Sequence, residues 1–138
     1  MTNDENSTSQ AINRIALETY KTSAGKGWHD DLLCKNPQET FFEDKDVDVE
    51  RVAAKVALIH SEVSEALEEL RVGRLSLFYD EFDQRPVPKP EGFVVEMADA
   101  MIRILDTCQA LGLDIGEAVA MKMRYNETRP HRHGGKKL

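Results

Sequence analysis

The 138-residue chain is poor in the features that mark several large classes of protein. It has two cysteines, Cys34 and Cys108, neither in a C-x-x-C pair. That excludes a disulfide-dense scaffold and a cysteine-built zinc site, and a reduced, cytoplasmic setting is expected. No stretch approaches the roughly 20 consecutive apolar residues of a membrane span, and residues 1–10 are polar, without the apolar core of a signal peptide. Neither a Walker A run nor G-x-G-x-x-G occurs, so no glycine-rich loop is available to cradle phosphate. No segment alternates like a strand, and no fixed-period repeat is present.

Basic residues are also outnumbered, 18 Lys and Arg against 25 Asp and Glu, for a net charge of -7. An acidic chain is a poor general binder of nucleic acid or anionic membrane, since both need basic surface. The charge is divided unevenly. Residues 122–138 hold six basic side chains and one acid, a net +5, which leaves -12 on residues 1–121.

What the chain does have is helical periodicity. Residues 1–8 offer nothing to bury and are expected to be a disordered start. A first helix is expected over about Ser9–Ala24, from Ile12, Ile15, Ala16 and Tyr20, ending at Gly25 and Gly27. Residues 26–47, with Trp28, His29, Pro37, Phe41 and Phe42, read as a packed loop. The second helix is the clearest, over about Asp48–Val72, with Asp48 as N-cap and Gly73 past its end. Val49, Val52, Val56, Ile59, Val63, Leu67 and Leu70 make its apolar stripe. A Pro- and aromatic-rich loop spans 74–90. A third helix follows over about Glu91–Leu111, closed by Gly112. A fourth starts at Asp114, which has capping-box spacing to Glu117, and runs to about Thr128. The expectation is an all-α fold of four-helix-bundle type over residues 9–130, with a basic tail at 131–138. Its long helices are too apolar for one chain to cover, so it is expected to oligomerise through them.

The chemistry concentrates in acid pairs. Glu62 and Glu65 are spaced i, i+3 on the second helix, and Glu96 and Asp99 on the third. Such pairs lie about 60° apart on one helical face, one turn apart. Both pairs border the apolar stripes rather than the far side of their helices. Charged helix faces are ordinarily just solvated. Two pairs on successive stripes instead put four carboxylates around one small volume, where a hard divalent cation such as Mg²⁺ or Mn²⁺ resolves their repulsion. Di-iron bundles use Glu-x-x-His, and positions 57, 26, 128 and 130, three before each histidine, hold Ala57, Lys26, Thr128 and Pro130. His60 is expected to be a structural histidine at the core edge. On the fourth helix Lys122, Asn126 and Arg129 share a face. They read either as cations at a helix C-terminus with a solubilising tail, or as donors to phosphate. Set beside the acids, they suggest a nucleoside di- or triphosphate bridging metal and cations.

The run His60-Ser61-Glu62-Val63-Ser64-Glu65-Ala66-Leu67-Glu68-Glu69-Leu70-Arg71, then Glu96-Met97-Ala98-Asp99-Ala100-Met101-Ile102-Arg103, then Lys122…Asn126…Arg129-Pro130, resembles the MazG-like all-α nucleoside triphosphate pyrophosphohydrolases. The likeness covers about residues 52–137. It implies a helical bundle assembled as a homodimer or homotetramer, with Mg²⁺-dependent cleavage of a nucleoside triphosphate to the monophosphate and pyrophosphate. It implies metal ligation by Glu62, Glu65, Glu96 and Asp99; as a mechanistic expectation, either Glu62 or Glu65, equally, takes the proton of the attacking water. It further implies phosphate contacts from Lys122, Asn126 and Arg129, and makes Trp28 a candidate base contact. Two other readings stand beside it: a phosphoribosyl-ATP pyrophosphohydrolase, and a non-enzymatic helical interaction protein. Neither nucleic acid nor membrane is expected as a partner.

Overall fold

A computed structural model describes residues 3–30 and 49–130 of the chain. These residues form four helices, α1 (Asn3–Ala24), α2 (Val49–Arg71), α3 (Phe93–Ala110) and α4 (Ile115–Glu127), and two strands of two residues each, β1 (Phe78–Tyr79) and β2 (Pro90–Glu91). The all-α expectation holds. The Asp48 cap, Pro37, Phe41 and Phe42 of the first loop, and the tail at 131–138 lie outside the described residues. No described helix is long and apolar enough to cross a membrane.

Residues 3–8 of the expected disordered start are helical, because α1 begins at Asn3, six residues before Ser9; residues 1–2 lie outside the described residues. The composition misled because this segment packs through polar and small groups rather than apolar ones. Glu5 pairs with Arg124 of α4 at 3.5 Å, and Ser9 is buried. Asn13 reaches across to the start of α4, donating to Asp114 Oδ1 at 2.8 Å and accepting from the Gly116 N–H at 2.9 Å. Asp114 Oδ1 also accepts from the Glu117 N–H at 2.7 Å, the cap read from the sequence. These bonds hold the Asp114 carboxyl below its ordinary range, the backbone N–H of Glu117 first and Asn13 second. Gly116 is required: a Cβ there would stand 2.3 Å from the Ser9 carbonyl oxygen.

Glycine also ends α2. Gly73 has φ 77°, and the Arg74 N–H returns to the Glu69 carbonyl at 2.9 Å, a left-handed helix stop. Between α2 and α3 the chain forms an arm. β1 and β2 pair antiparallel, Phe78 with Glu91 and Tyr79 with Pro90. Two residues are too few to show any alternation, which is why no strand was legible. At the tip, Asp83 accepts from the Arg85 guanidinium and from the N–H groups of Arg85 and Lys89. Those bonds, Arg85 foremost, hold its carboxyl far below the usual carboxylate range. The arm closes at Gly92, φ 114°, where a Cβ would meet the Ser76 carbonyl oxygen at 2.3 Å.

Packing follows a row rather than a closed ring. α3 lies against α2 and α1, α1 lies against α4, and α4 meets α3 only slightly; among the described residues the backbones of α1 and α4 do not approach that of α2. The interior is built of small residues: Ala16, Ala66, Ala100, Ala110 and Ala120, joined by Leu105 and Leu111. The buried residues of α2 are Glu62 and Ala66, not its apolar stripe. Val56, Val63, Leu67 and Leu70 are exposed, as are Met97, Met101 and Ile104 of α3. So the side of α2 that meets α3 is the acid-and-alanine side, and much of its large apolar side is exposed among the described residues. His60 is exposed too, not at the core edge as expected.

Candidate metal centre and adjoining pocket

The α2–α3 contact sets the site. Ala66 and Ala100 are small enough to let the two helices approach, and each helix then presents its acid pair to the other. Glu62, Glu65 and Glu96 each offer a carboxylate oxygen, all within 4.8 Å of one another. Glu62 and Glu96 are buried, while Glu65 is exposed. Asp99, one turn beyond Glu96, is half-buried beside them. Burial pushes the Glu96 carboxyl above its ordinary value. The charges of Glu65, Asp99 and Glu62 push it the same way, against an opposing pull from Lys89. Of the four acids expected to share one volume, Glu62, Glu65 and Glu96 converge; Asp99 is not among the three whose oxygens meet within 4.8 Å, though its charge acts on Glu96.

Cations only partly balance this charge. Arg103 of α3 sets its Nε 2.7 Å from Glu62 Oε1, with its N–H misaligned to the oxygen, so the contact is an ion pair rather than a hydrogen bond. Lys89 extends from the arm and is 3.5 Å from Glu91. An all-oxygen donor set with two buried carboxylates and excess negative charge fits a hard divalent ion such as Mg²⁺ or Mn²⁺.

Beside the acids is a pocket of about 170 Å³ lined by Trp28, Lys55, Asp99, Arg103, Asp106 and Thr107, among others. That is below the roughly 300 Å³ at which sites for whole drug-sized ligands begin, so it suits one ring of a larger molecule. Trp28 is 52% exposed. The Lys55 ammonium is 5.8 Å and the Arg103 guanidinium 5.9 Å from its ring centre. Lys55 also donates to the Trp28 carbonyl oxygen.

Lys122, Asn126 and Arg129 are placed elsewhere. Lys122 and Arg129 flank Tyr125, at 4.8 Å and 5.9 Å from its ring. None of the three lines the Trp28 pocket, and the backbone of α4, which carries Lys122 and Asn126, does not approach α2 among the described residues.

Sequence reasoning passed over four groups that the fold brings to the site: Arg103, Lys55, Lys89 and the His29–Asp106 pair. One signal was available. Asp99, Arg103 and Asp106 stand at i, i+4 and i+7, a single helical face. Lys55 and Lys89 carry no comparable mark. No family model matches the chain, and comparison with curated proteins and with solved structures gave no match.

Proposed function

We propose that the chain is a metal-dependent nucleoside triphosphate pyrophosphohydrolase, cleaving a ribo- or deoxyribonucleoside triphosphate to the monophosphate and pyrophosphate by attack of water at the α-phosphorus. Control of the cellular nucleotide pool, in the cytoplasm, is the role this reaction suits. The observation that carries the reading is the convergence of Glu62, Glu65 and Glu96, two of them buried, with Asp99 adjoining.

Glu62, Glu65, Glu96 and Asp99 are the residues that would hold Mg²⁺, or Mn²⁺ in its place. Such an ion supplies Lewis-acid polarisation of phosphate oxygens and a more acidic water. Trp28 offers a stacking face for the base in a pocket that shares Asp99 with the acid cluster. Glu65 is the better proton acceptor of the two candidates: it is exposed, whereas Glu62 is buried and occupied by Arg103. Arg103 and Lys55, charged and beside the ring, neutralise phosphate charge near the base end. Lys122, Asn126 and Arg129 are proposed to bind phosphate and stabilise the leaving pyrophosphate.

This reading includes a homodimer or homotetramer, supported by two features. Large apolar side chains of α2 and α3, among them Val63, Leu67, Met97 and Met101, are exposed among the described residues. Lys122 and Asn126 of α4, with Arg129 just past its end, are also on an element whose backbone does not approach α2 among the described residues, so in this scheme they serve a site shared between copies. Glu65→Gln and Asp99→Asn test the assignment: both abolish turnover while leaving the helical circular dichroism intact. A wild-type rate in either variant overturns it.

A further inference from the structure

We propose that the buried His29–Asp106 pair is a positioning device that holds the Trp28 turn in place as one wall of the pocket beside the carboxylates. The proposal rests on the reading of that pocket as the base subsite.

Neighbouring residues in the turn after α1 behave oppositely. Trp28 is 52% exposed, while His29 is 1% exposed and is the one large side chain fully enclosed among the described residues. The turn itself is thinly secured. Its backbone bonds run back to Lys21, Ser23, Ala24 and Gly27, all within the same segment, so they fix its shape but not its place on the molecule. Its place is set by side chains. His29 Nε2 is 2.8 Å from Asp106 Oδ1, and the imidazole stacks on Tyr20 with ring centres 5.5 Å apart and planes 28° apart. Lys55 of α2 makes the second tie, donating to the Trp28 carbonyl oxygen.

The acceptor is well chosen for this task. Asp106 is buried, and it lines the same pocket as Trp28. It shares a face of α3 with Asp99 of the acid cluster and with Arg103, whose guanidinium both pairs with Glu62 and lies over the Trp28 ring. A helix is stiff over two turns. One element therefore carries the metal-site acid, a cation of the pocket, and the anchor of the aromatic wall. His29 does not line the pocket, so it acts through Trp28 and is not a catalytic residue.

Trp28 is the sole tryptophan, so its fluorescence reports the turn directly. The experiment compares wild type with His29→Leu, which keeps bulk without a hydrogen bond, and with Asp106→Asn, which keeps an acceptor oxygen. In nucleotide-free protein, acrylamide quenching of Trp28 rises in His29→Leu towards a ceiling of about twofold, set by the present 52% exposure. Asp106→Asn stays closer to wild type in this measurement. For pyrophosphate release, His29→Leu raises KM about tenfold, the size of a lost stacking partner, with a much smaller effect on kcat. Helical circular dichroism is retained. If His29→Leu fails to fold, Asp106→Leu is read in the same way. Unchanged acrylamide quenching in the folded variant overturns the proposal, as does a fall in kcat at unchanged KM. If a nucleoside triphosphate leaves wild-type emission unaltered, the base-subsite reading fails, while the acrylamide result still decides whether the pair holds the turn.

Discussion

Replacing Glu96 by Gln separates a metal site from a merely acidic surface. Glu62 and Glu96 are both buried, and their nearest ligand oxygens lie within 4.8 Å. At an effective dielectric constant of 20, two bare charges at that distance repel by about 3.5 kcal/mol. Arg103 sits on Glu62 and cancels much of this. Glu96 is also in the first turn of α3, where a negative charge is favourable and its removal forfeits about 0.5 kcal/mol. The net expectation for the metal-free protein is a gain of about 1 kcal/mol, or about 4 °C in Tm for a chain of this size. The pH dependence has the same origin. The Glu96 carboxyl is raised in the folded state, chiefly by burial, so the unfolded chain ionises first as pH climbs. Metal-free wild type is therefore favoured below the ordinary glutamate range and loses stability as pH rises through the folded value. The Gln variant lacks that loss. Mg²⁺ reverses the order: at a hundredfold excess over Kd it stabilises wild type by about 2.7 kcal/mol. Thermal melts near neutral pH, with EDTA or Mg²⁺, read both effects. A Gln variant that melts below wild type in EDTA, or keeps the full Mg²⁺ shift, overturns the placement of Glu96 in a metal site.

Two other changes test separate parts of the account. Gly116→Ala forces a Cβ to within 2.3 Å of the Ser9 carbonyl oxygen and 2.7 Å of Asn13 Oδ1, so α1 and α4 must part, at about 2 kcal/mol in a urea melt. Wild-type stability would contradict the close α1–α4 approach. Lys122→Ala lowers kcat/KM for a nucleoside triphosphate about tenfold or more, the scale of one lost charged hydrogen bond to phosphate. An unchanged value removes Lys122 from the site.

The sequence carried the helices well because they are punctuated. Gly73, Gly112 and Asp114 stop or start their helices where the pattern placed them. It carried Glu62, Glu65 and Glu96 of the acid cluster because i, i+3 spacing on two successive helices is a strong geometric constraint. It failed where contacts are polar or long-range. The first turns of α1 looked unable to fold because they bury Ser9 and pair Glu5 rather than burying apolar bulk. The pattern puts the acids of α2 only at the rim of its apolar stripe, whereas Glu62 is itself buried. Periodicity shows which residues share a face, not which surface that face meets, and α2 turns its acids and alanine to α3. His60 was misplaced for the same reason. His29, described by no pattern of its own, is buried because Asp106, far along the chain, supplies its partner.

Pyrophosphate release, screened over the common ribo- and deoxynucleoside triphosphates with and without Mg²⁺, tests the central claim most directly. At least one of them is expected to yield the monophosphate and pyrophosphate in equal amounts, only with the metal present. Release of orthophosphate with a diphosphate product, or no Mg²⁺-dependent turnover of any triphosphate, would contradict it.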